Sequence, residues 1–344
     1  MTAAVSHRLD GLEPDNLLAF LALLGLLRAM EAVDDRRTED GKLRPRVAWD
    51  VARLPLRPRL YVATAMSQEA ICETAAAGIT VLSEPLDFGN REKLDYSRDE
   101  ARSLLLSAAR TSDVRTRSRA DILAALMTDA AIKSDKDEPV DPTPLCLLFG
   151  QGHQYFLKRL AGVPKLQAPP KRGKGKKAVI PTETECLMEA LFHPWHRNDP
   201  TDSFRWDPKE DVRYALMAGD PTDSAYKGGT QHGANRLAAI GLAALTVVPE
   251  RRFGRVRPNV IGGAFDRHGF SFSWPIWEEP ASLATIRALL AHPDLRKPDA
   301  LRHLNVHQVM QARRVSVGKF MNFARATPIT REASTIRGEE RLRA

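Results

Sequence analysis

Residues 204–248 read FRWDPKEDVRYALMAGDPTDSAYKGGTQHGANRLAAIGLAALTVV and indicate two helices that begin in different ways. The first has a conventional start. Asp207 can accept hydrogen bonds from the free backbone N–H groups, Pro208 suits the first helical position, and Glu210 suits the first turn, where negative charge is favourable. An apolar second helix follows a glycine-rich entry. The segment thus indicates two helix starts of different character.

The entry to the second helix is the more informative of the two. Gly228 and Gly229 precede it, no acidic residue follows before Glu250, and Arg236 lies in its first turns. A helix N-terminus without a carboxylate cap has free N–H groups and a positive dipole end, which together suit an anion such as a phosphate. The pattern therefore predicts a phosphate contact at this helix entry.

Composition is that of a globular protein. The chain has 344 residues, enough for two domains that each bury a core, and its 43% hydrophobic and 27% charged content is ordinary for a globular chain. Lys and Arg number 51 against 43 Asp and Glu, which gives a net charge of +8. Because this excess is moderate, the distribution of the basic residues decides whether they form a phosphate-binding face.

Cysteine usage and the N-terminus predict a cytoplasmic protein. Cys72, Cys146 and Cys186 are far apart and form no C-x-x-C pair, so neither a disulfide framework nor a cysteine zinc site is indicated. The apolar run at 17–27 is about half of the roughly 20 residues that span a bilayer, and no signal peptide precedes it. We expect no association with a membrane.

Periodicity and capping residues predict an α+β fold. The expected helices cover 14–31, 67–77 with Gly78 as the closing residue, a segment after the capping box of Ser97 and Glu100, 120–132, a segment ending near Gly162, 182–192 and 283–290. The expected strands cover 46–50, 59–64 and 251–257, and residues 265–270 form a turn between two further strands.

A basic linker is the predicted internal boundary of the chain. Residues 165–177, KLQAPPKRGKGKK, contain six basic residues and no acidic ones, with Pro and Gly in place of residues that form a core. The prediction is a mixed N-terminal part at 1–164, this flexible linker, an α+β nucleic-acid-binding part at 178–330 and a tail at 331–344.

No set of residues in the sequence indicates catalysis. His193 and His196 are separated by a proline, and no third metal ligand accompanies them, so a structural or surface pair is the favoured interpretation. The sequence Gly150-Gln151-Gly152 is only a fragment of a dinucleotide fingerprint and is better read as a turn. We expect no catalytic residue, no metal and no cofactor.

Basic clusters give the clearest functional indication. Lys and Arg contact phosphates irrespective of base, so they provide affinity more readily than specificity. The candidate nucleic-acid-binding residues are Lys171, Arg172, Lys174, Lys176 and Lys177 in the linker, Gly228, Gly229, Asn235 and Arg236 at the helix entry, Arg251, Arg252, Arg255 and Arg257, and Arg313, Arg314, Lys319 and Arg325 near the C-terminus. In contrast, Trp206, Trp274 and Trp277 are expected in the core and not in a base-stacking row.

Several short segments resemble one protein family. They are residues 14–28 (PDNLLAFLALLGLLR), 205–208 (RWDP) with Asp211 and 213–215 (RYA), 233–238 (GANRLA), and 313–315 (RRV) with 317–319 (VGK). This set is similar to CRISPR-associated proteins of the type I-G group, formerly called I-U. The chain is most like the large subunit of a type I Cascade, although it is shorter than many such subunits.

The resemblance implies a noncatalytic subunit of an RNA-guided surveillance complex. Its partners would be other Cascade subunits, guide RNA, target DNA and a helicase-nuclease. It would help to inspect the motif beside the target, hold the opened DNA and recruit the helicase-nuclease. Two other interpretations within this scheme are a protein-interaction scaffold and a helicase-associated accessory subunit. A nucleotide enzyme that binds phosphate at residues 228–236 is the third alternative.

Overall fold

The fold is α+β, as the sequence predicts. The computed structural model describes residues 5–110, 114–132, 139–147, 155–169, 171–172, 178–210, 229–317 and 320–330. Its α-helices are α1 (Leu17–Asp34), α2 (Gln68–Ser83), α3 (Arg98–Ala109), α4 (Val114–Leu126), α5 (Phe156–Gly162), α6 (Glu183–Phe192), α7 (His232–Gly241) and α8 (Leu283–Leu290). Its strands are β1 (Val5–Arg8), β2 (Arg46–Trp49), β3 (Pro58–Val62), β4 (Val247–Arg252), β5 (Arg255–Val260), β6 (Gly263–Asp266), β7 (Gly269–Trp277), β8 (Val306–Val317), β9 (Phe320–Phe323) and β10 (Thr327–Pro328).

All pairs of neighbouring strands are antiparallel. Strands β1, β3 and β2 form one sheet in that order. A second sheet has the order β10-β8-β7-β6, and β9 pairs with the far end of β8. Strands β4 and β5 form a separate hairpin. The described strands therefore form two sheets and one two-stranded ribbon.

Helix α1 is the centre of the fold. Its N-cap is Asn16, whose side-chain oxygen accepts from the Ala19 N–H at 3.3 Å, and its side-chain amide donates to Asp207 Oδ1 at 2.9 Å. Residues 17–30 are all buried, because the apolar side chains extend around the whole helix. The predicted start of this helix and its burial on all sides are confirmed.

The backbones of helices α1 and α7 are in close contact at two glycines. A Cβ atom on Gly25 of α1 would overlap the carbonyl oxygen of Leu237 in α7, and one on Gly241 of α7 would overlap the carbonyl oxygen of Leu21 in α1. Only glycine at these two positions lets the backbones approach this closely. Consequently α7 is itself buried along its full length.

The large sheet packs its aromatic residues on α1. The Phe20 ring stacks on Trp274 with centroids 5.3 Å apart, and Phe272 lies 6.2 Å from Phe20. Strand β7, which carries Phe272 and Trp274, also contacts β2 of the three-stranded sheet, where Trp277 Nε1 donates to the Val47 carbonyl at 2.6 Å. The predicted core roles of Trp274 and Trp277 are thus confirmed.

Buried residues from Leu9 to Ala326 belong to one hydrophobic core. Described residues on both sides of the predicted linker contribute to it, so the two parts do not have a separate core each. The extent of the four predicted parts stays a prediction. Among the described residues, no helix has the combined length and apolar character that a membrane span requires.

Two predicted helix ends are wrong for reasons of tertiary packing. Gly78 does not close α2, which continues to Ser83. A Cβ on Gly78 would overlap the carbonyl oxygen of Ala29, so this glycine lets α2 pack closely on α1.

Helix α4 ends at Leu126, earlier than predicted, because the Leu126 carbonyl accepts from Thr143 N in the following loop. The capping boxes that begin α3 and α6 are confirmed.

The glycine contact between α1 and α7 can be tested by Gly25→Ala. We expect this substitution to lower the free energy of unfolding by about 1–3 kcal/mol, the usual cost of overpacking, because two helix backbones must separate. Denaturation in urea measures the effect. Gly162→Ala is the matched control, since nothing lies within 4 Å of a Cβ at Gly162 in α5. Equal stability of the two variants would contradict the packing argument.

Candidate nucleic-acid interface

The β4–β5 hairpin presents most of its arginines near one tip. Residues 251–257 were predicted as a single strand, and this is wrong: Phe253 and Gly254 form a turn between two strands. Both have positive φ, +49° and +77°, which a tight two-residue hairpin turn of type I′ requires. The last pair in the ladder is Arg252 opposite Arg255, directly beside the turn.

Two of the hairpin arginines are exposed. Arg251 and Arg255 pair with no carboxylate in the described part of the chain. Arg252 is half-buried, with its guanidinium carbon 3.4 Å from the centroid of the Phe265 ring, and Arg257 pairs with Asp141 at 2.7 Å. The hairpin therefore keeps a positive charge that its surroundings only partly neutralise.

One residue of the second basic cluster, Arg314, lies near the hairpin. Arg314 on β8 donates to the Pro144 carbonyl at 3.2 Å and lies 5.5 Å from the centroid of the Phe270 ring. Burial lowers the pKa of its guanidinium, and the nearby positive charge of Arg252 lowers it further. Phe270 is 4.9 Å from Phe265, the ring that Arg252 covers, so Arg314 lies near the hairpin although about sixty residues separate Arg314 and Arg252 along the chain.

The remaining members of the C-terminal cluster lie elsewhere. Arg313 pairs with Asp266 at 3.2 Å, and Arg325 pairs with Asp15 at 2.5 Å. Lys319 lies outside the described residues. The structure therefore divides this predicted cluster, because alternate residues of β8 point to opposite faces of the sheet.

The predicted phosphate contact at the start of α7 is already occupied by a carboxylate of the protein. No side chain of the N-cap residue caps this helix, but the Asp199 carboxylate accepts from His232 N at 2.9 Å. Asp199 is fully buried and comes from a distant loop. Gly229 allows close approach to the Arg197 carbonyl oxygen and does not face a ligand. Gly228 lies outside the described residues.

Asn235 and Arg236 are likewise internal, which corrects their prediction as nucleic-acid contacts. Asn235 accepts from Phe204 N and donates to Thr230 Oγ1 at 2.8 Å. Arg236 is 1% exposed and pairs with Glu183 at 2.5 Å. Burial lowers the pKa of the Arg236 guanidinium, and Glu183 opposes that shift. Both side chains hold the fold together.

Arg172 of the predicted linker is bound to carboxylates of the fold. Arg172 donates to Asp199 at 2.5 Å and to both carboxylate oxygens of Glu189. Burial opposes its charge, yet these hydrogen bonds raise the pKa of the guanidinium above its usual value. Lys171 is exposed, whereas Lys174, Lys176 and Lys177 lie outside the described residues. The flexibility of the linker stays a prediction.

His196, one of the two predicted histidines, and Trp206 both contact other residues of the fold. His196 Nε2 lies 3.0 Å from Glu189 Oε2, and no cluster of three or more His, Cys, Asp or Glu side chains that could hold a metal occurs among the described residues. Trp206 is fully buried, and its indole N–H donates to the Leu145 carbonyl at 2.9 Å. The predicted core role of Trp206 is confirmed. The segment Gly150-Gln151-Gly152 lies outside the described residues.

Phe253 is the functional candidate that the sequence analysis missed. It stands at the hairpin tip, and its side chain is fully exposed. The signal was present: an aromatic residue and a glycine lie between two pairs of arginines in RRFGRVR at 251–257. A continuous strand over 251–257 would place Phe253 in the middle of the strand, so the pattern alone does not identify it as a tip residue.

A buried carboxylate lies beside the start of α7. Glu210 follows the turn at Asp207, where Lys209 N donates to Asp207 Oδ1, and any helix beyond it lies outside the described residues. Ser203 and Thr230 donate their hydroxyls to Glu210 at 2.5–2.6 Å. Burial raises the pKa of Glu210 to about 7, and Asp207 adds to the rise.

This raised pKa predicts a pH dependence of stability. The folded state retains the Glu210 proton up to about pH 7, whereas the unfolded chain releases it near the ordinary value of 4.5. The contribution of Glu210 to the free energy of unfolding should therefore fall as pH rises through this window, by at most about 1.4 kcal/mol per pH unit, and should be constant above it.

Urea denaturation of the wild type and of Glu210→Gln across this range measures the effect. His232, whose pKa burial lowers to about 4, contributes in the opposite direction in both proteins, so the difference between them isolates Glu210. Parallel pH profiles for the two proteins would show that Glu210 does not titrate in this way.

The sequence matches no protein-family model and no curated protein. Neither comparison therefore bears on the resemblance carried by residues 14–28, 205–215, 233–238 and 313–319. The feature of the structure that best indicates a function is the β4–β5 hairpin, with its exposed arginines and the nearby Arg314.

Proposed function

We propose that this chain is a noncatalytic, cytoplasmic subunit of a type I CRISPR RNA-guided surveillance complex. In that role it binds target DNA, helps to inspect the adjacent motif and contributes to recruiting the helicase-nuclease. Its partners are other Cascade subunits, guide RNA, target DNA and the helicase-nuclease itself. The family assignment rests on the sequence resemblance, and the binding role rests on the hairpin.

The observation that carries the binding role is the cationic surface of the β4–β5 hairpin. Among the described residues, the four arginines between positions 251 and 257 pair with two carboxylates, those of Glu250 and Asp141. Arg251 and Arg255 remain exposed. Exposed guanidinium groups on a narrow ribbon can approach a phosphate backbone without first breaking an internal ion pair.

Arg314 lies near the same hairpin. It is 5.5 Å from the centroid of the Phe270 ring, Phe270 is 4.9 Å from Phe265, and Arg252 is 3.4 Å from the Phe265 centroid. Arg314 is half-buried, so it adds positive charge behind the exposed arginines of the hairpin. Positive charge near a binding surface attracts a polyanion.

Binding is also the simplest chemistry that this surface supports. Arginine side chains stay charged at all physiological pH values, so they neutralise phosphates and do not exchange protons. In guide-directed recognition, base pairing reads the sequence while protein contacts hold the backbones and read a short motif. A positively charged ribbon suits the second of these tasks.

The double substitution Arg251→Ala/Arg255→Ala tests the proposal. It should weaken binding of the full chain to a DNA duplex and reduce the slope of log K against log salt by up to about 2, because each neutralised phosphate contributes about 0.9. Fluorescence anisotropy at several salt concentrations measures both quantities. We expect no change in the urea midpoint, since both side chains are exposed.

Arg98→Ala/Arg102→Ala is the matched control. These two exposed arginines lie on α3, and their removal changes the net charge by the same amount. It should leave most of the affinity and the salt slope intact. An equal loss in both variants would indicate attraction by net charge alone, and no loss in the hairpin variant would reject the hairpin as a DNA-binding surface.

A further inference from the structure

Packing within the described part of the fold does not account for Phe253. Its side chain is fully exposed at the end of the hairpin, while the hairpin base is held by the buried residues Val247 and Val260. A large aromatic side chain in water gains nothing from burial. The fold would keep the same hairpin with a smaller or more polar residue at this position.

The backbone at Phe253 makes this choice more unusual. Its φ of +49° lies in the left-handed region, which disfavours bulky residues. Asn, Asp or Gly would be the ordinary residue at the first central position of such a turn. Gly254, with φ +77°, is the ordinary residue at the second position. Phe253 is therefore unfavourable for the turn, and a contact outside the chain would account for it.

Cations lie on both faces of the ribbon beside this ring. Residues directly opposite in an antiparallel pair project from the same face, and neighbours along a strand project from opposite faces. Arg255 is opposite Arg252, so Arg251 projects from the other face. The tip thus combines one apolar ring with an exposed guanidinium on either side.

We infer that Phe253 stacks on an unpaired base at a junction between duplex and single-stranded DNA. Arg251 and Arg255 would hold the phosphates of the two diverging strands on the two faces of the ribbon. This inference rests on the proposed DNA-binding function and specifies its substrate: an opened duplex, with the hairpin tip at the point of opening.

The energetics favour an unpaired base over an intact base-pair step. Stacking of one base on an aromatic side chain raises affinity by about 5- to 150-fold, the equivalent of roughly 1–3 kcal/mol. Insertion into an intact duplex first requires unstacking at a cost of similar size. A single ring therefore gains little from intact duplex, whereas a base that is already unpaired offers the whole gain.

Phe253→Asn is the decisive variant. Asparagine suits the left-handed turn position, so the hairpin should fold at least as well while the ring is lost. The probes are a blunt DNA duplex and the same duplex with single-stranded arms at one end. We expect the wild type to prefer the forked DNA, and Phe253→Asn to lose about 5- to 150-fold in affinity for the fork with little change for the blunt duplex.

Two further measurements identify stacking itself. A fluorescent adenine analogue at the first unpaired position should be quenched when the wild type binds and not when Phe253→Asn binds. Phe253→Trp should restore both quenching and fork preference, because indole also stacks on bases. Phe253→Leu should not restore them, although leucine keeps most of the apolar surface.

The outcomes separate this inference from the function on which it rests. If Phe253→Asn binds both DNAs as the wild type does while Arg251→Ala/Arg255→Ala loses affinity, the stacking role is wrong and the DNA-binding role stands. An equal loss on both DNAs also rejects a role at unpaired bases. If the wild type binds neither DNA, both proposals fail, and a change of oligomeric state in Phe253→Asn would assign the ring to a protein contact instead.

Discussion

The backbone contact between α1 and α7 determines where most other parts of this protein lie. Gly25 and Gly241 bring the two helices so close that neither could carry a side chain at these positions. Helix α2 uses Gly78 against α1 in the same way. Three helices therefore meet with their backbones close together, and the aromatic residues of β7 pack on α1 beside them.

Close packing around α7 explains why its polar residues serve the fold. A helix buried along its whole length must satisfy its free N–H groups and its charges within the protein. Asp199 accepts from the helix start, and Glu183 pairs with Arg236. These contacts convert a segment with the features of an anion site into part of the core. Arg251 and Arg255 on the hairpin are under no such constraint, so they remain exposed.

Features that depend on local sequence were the most predictable. The capping boxes at Ser97 and Thr182 and the cap at Asn16 all involve residues three positions apart, so their patterns are complete within a short window. The core roles of the three tryptophans also followed from residue type alone. By contrast, Gly78 looked like a helix end because nothing nearby shows that α1 lies against it.

The candidate site could be predicted only as a set of basic clusters. Their positions in the chain do not indicate that Arg314 approaches Arg252, that Arg325 pairs with Asp15 or that Arg172 pairs with Asp199. Each of these contacts joins residues far apart in sequence. The turn at Phe253 was missed because alternating arginines also fit a continuous strand, and only the positive φ values at two residues distinguish a hairpin.

Sequence by itself determined the fold class, the central apolar helix and the residues that begin the main helices, since these follow from side-chain type and spacing along one segment. Tertiary structure decided which arginines are internal and which are exposed, because burial depends on elements that meet only after the chain has folded. The start of α7 is therefore part of the core, and the exposed arginines that carry the proposed binding role lie on the hairpin that follows it.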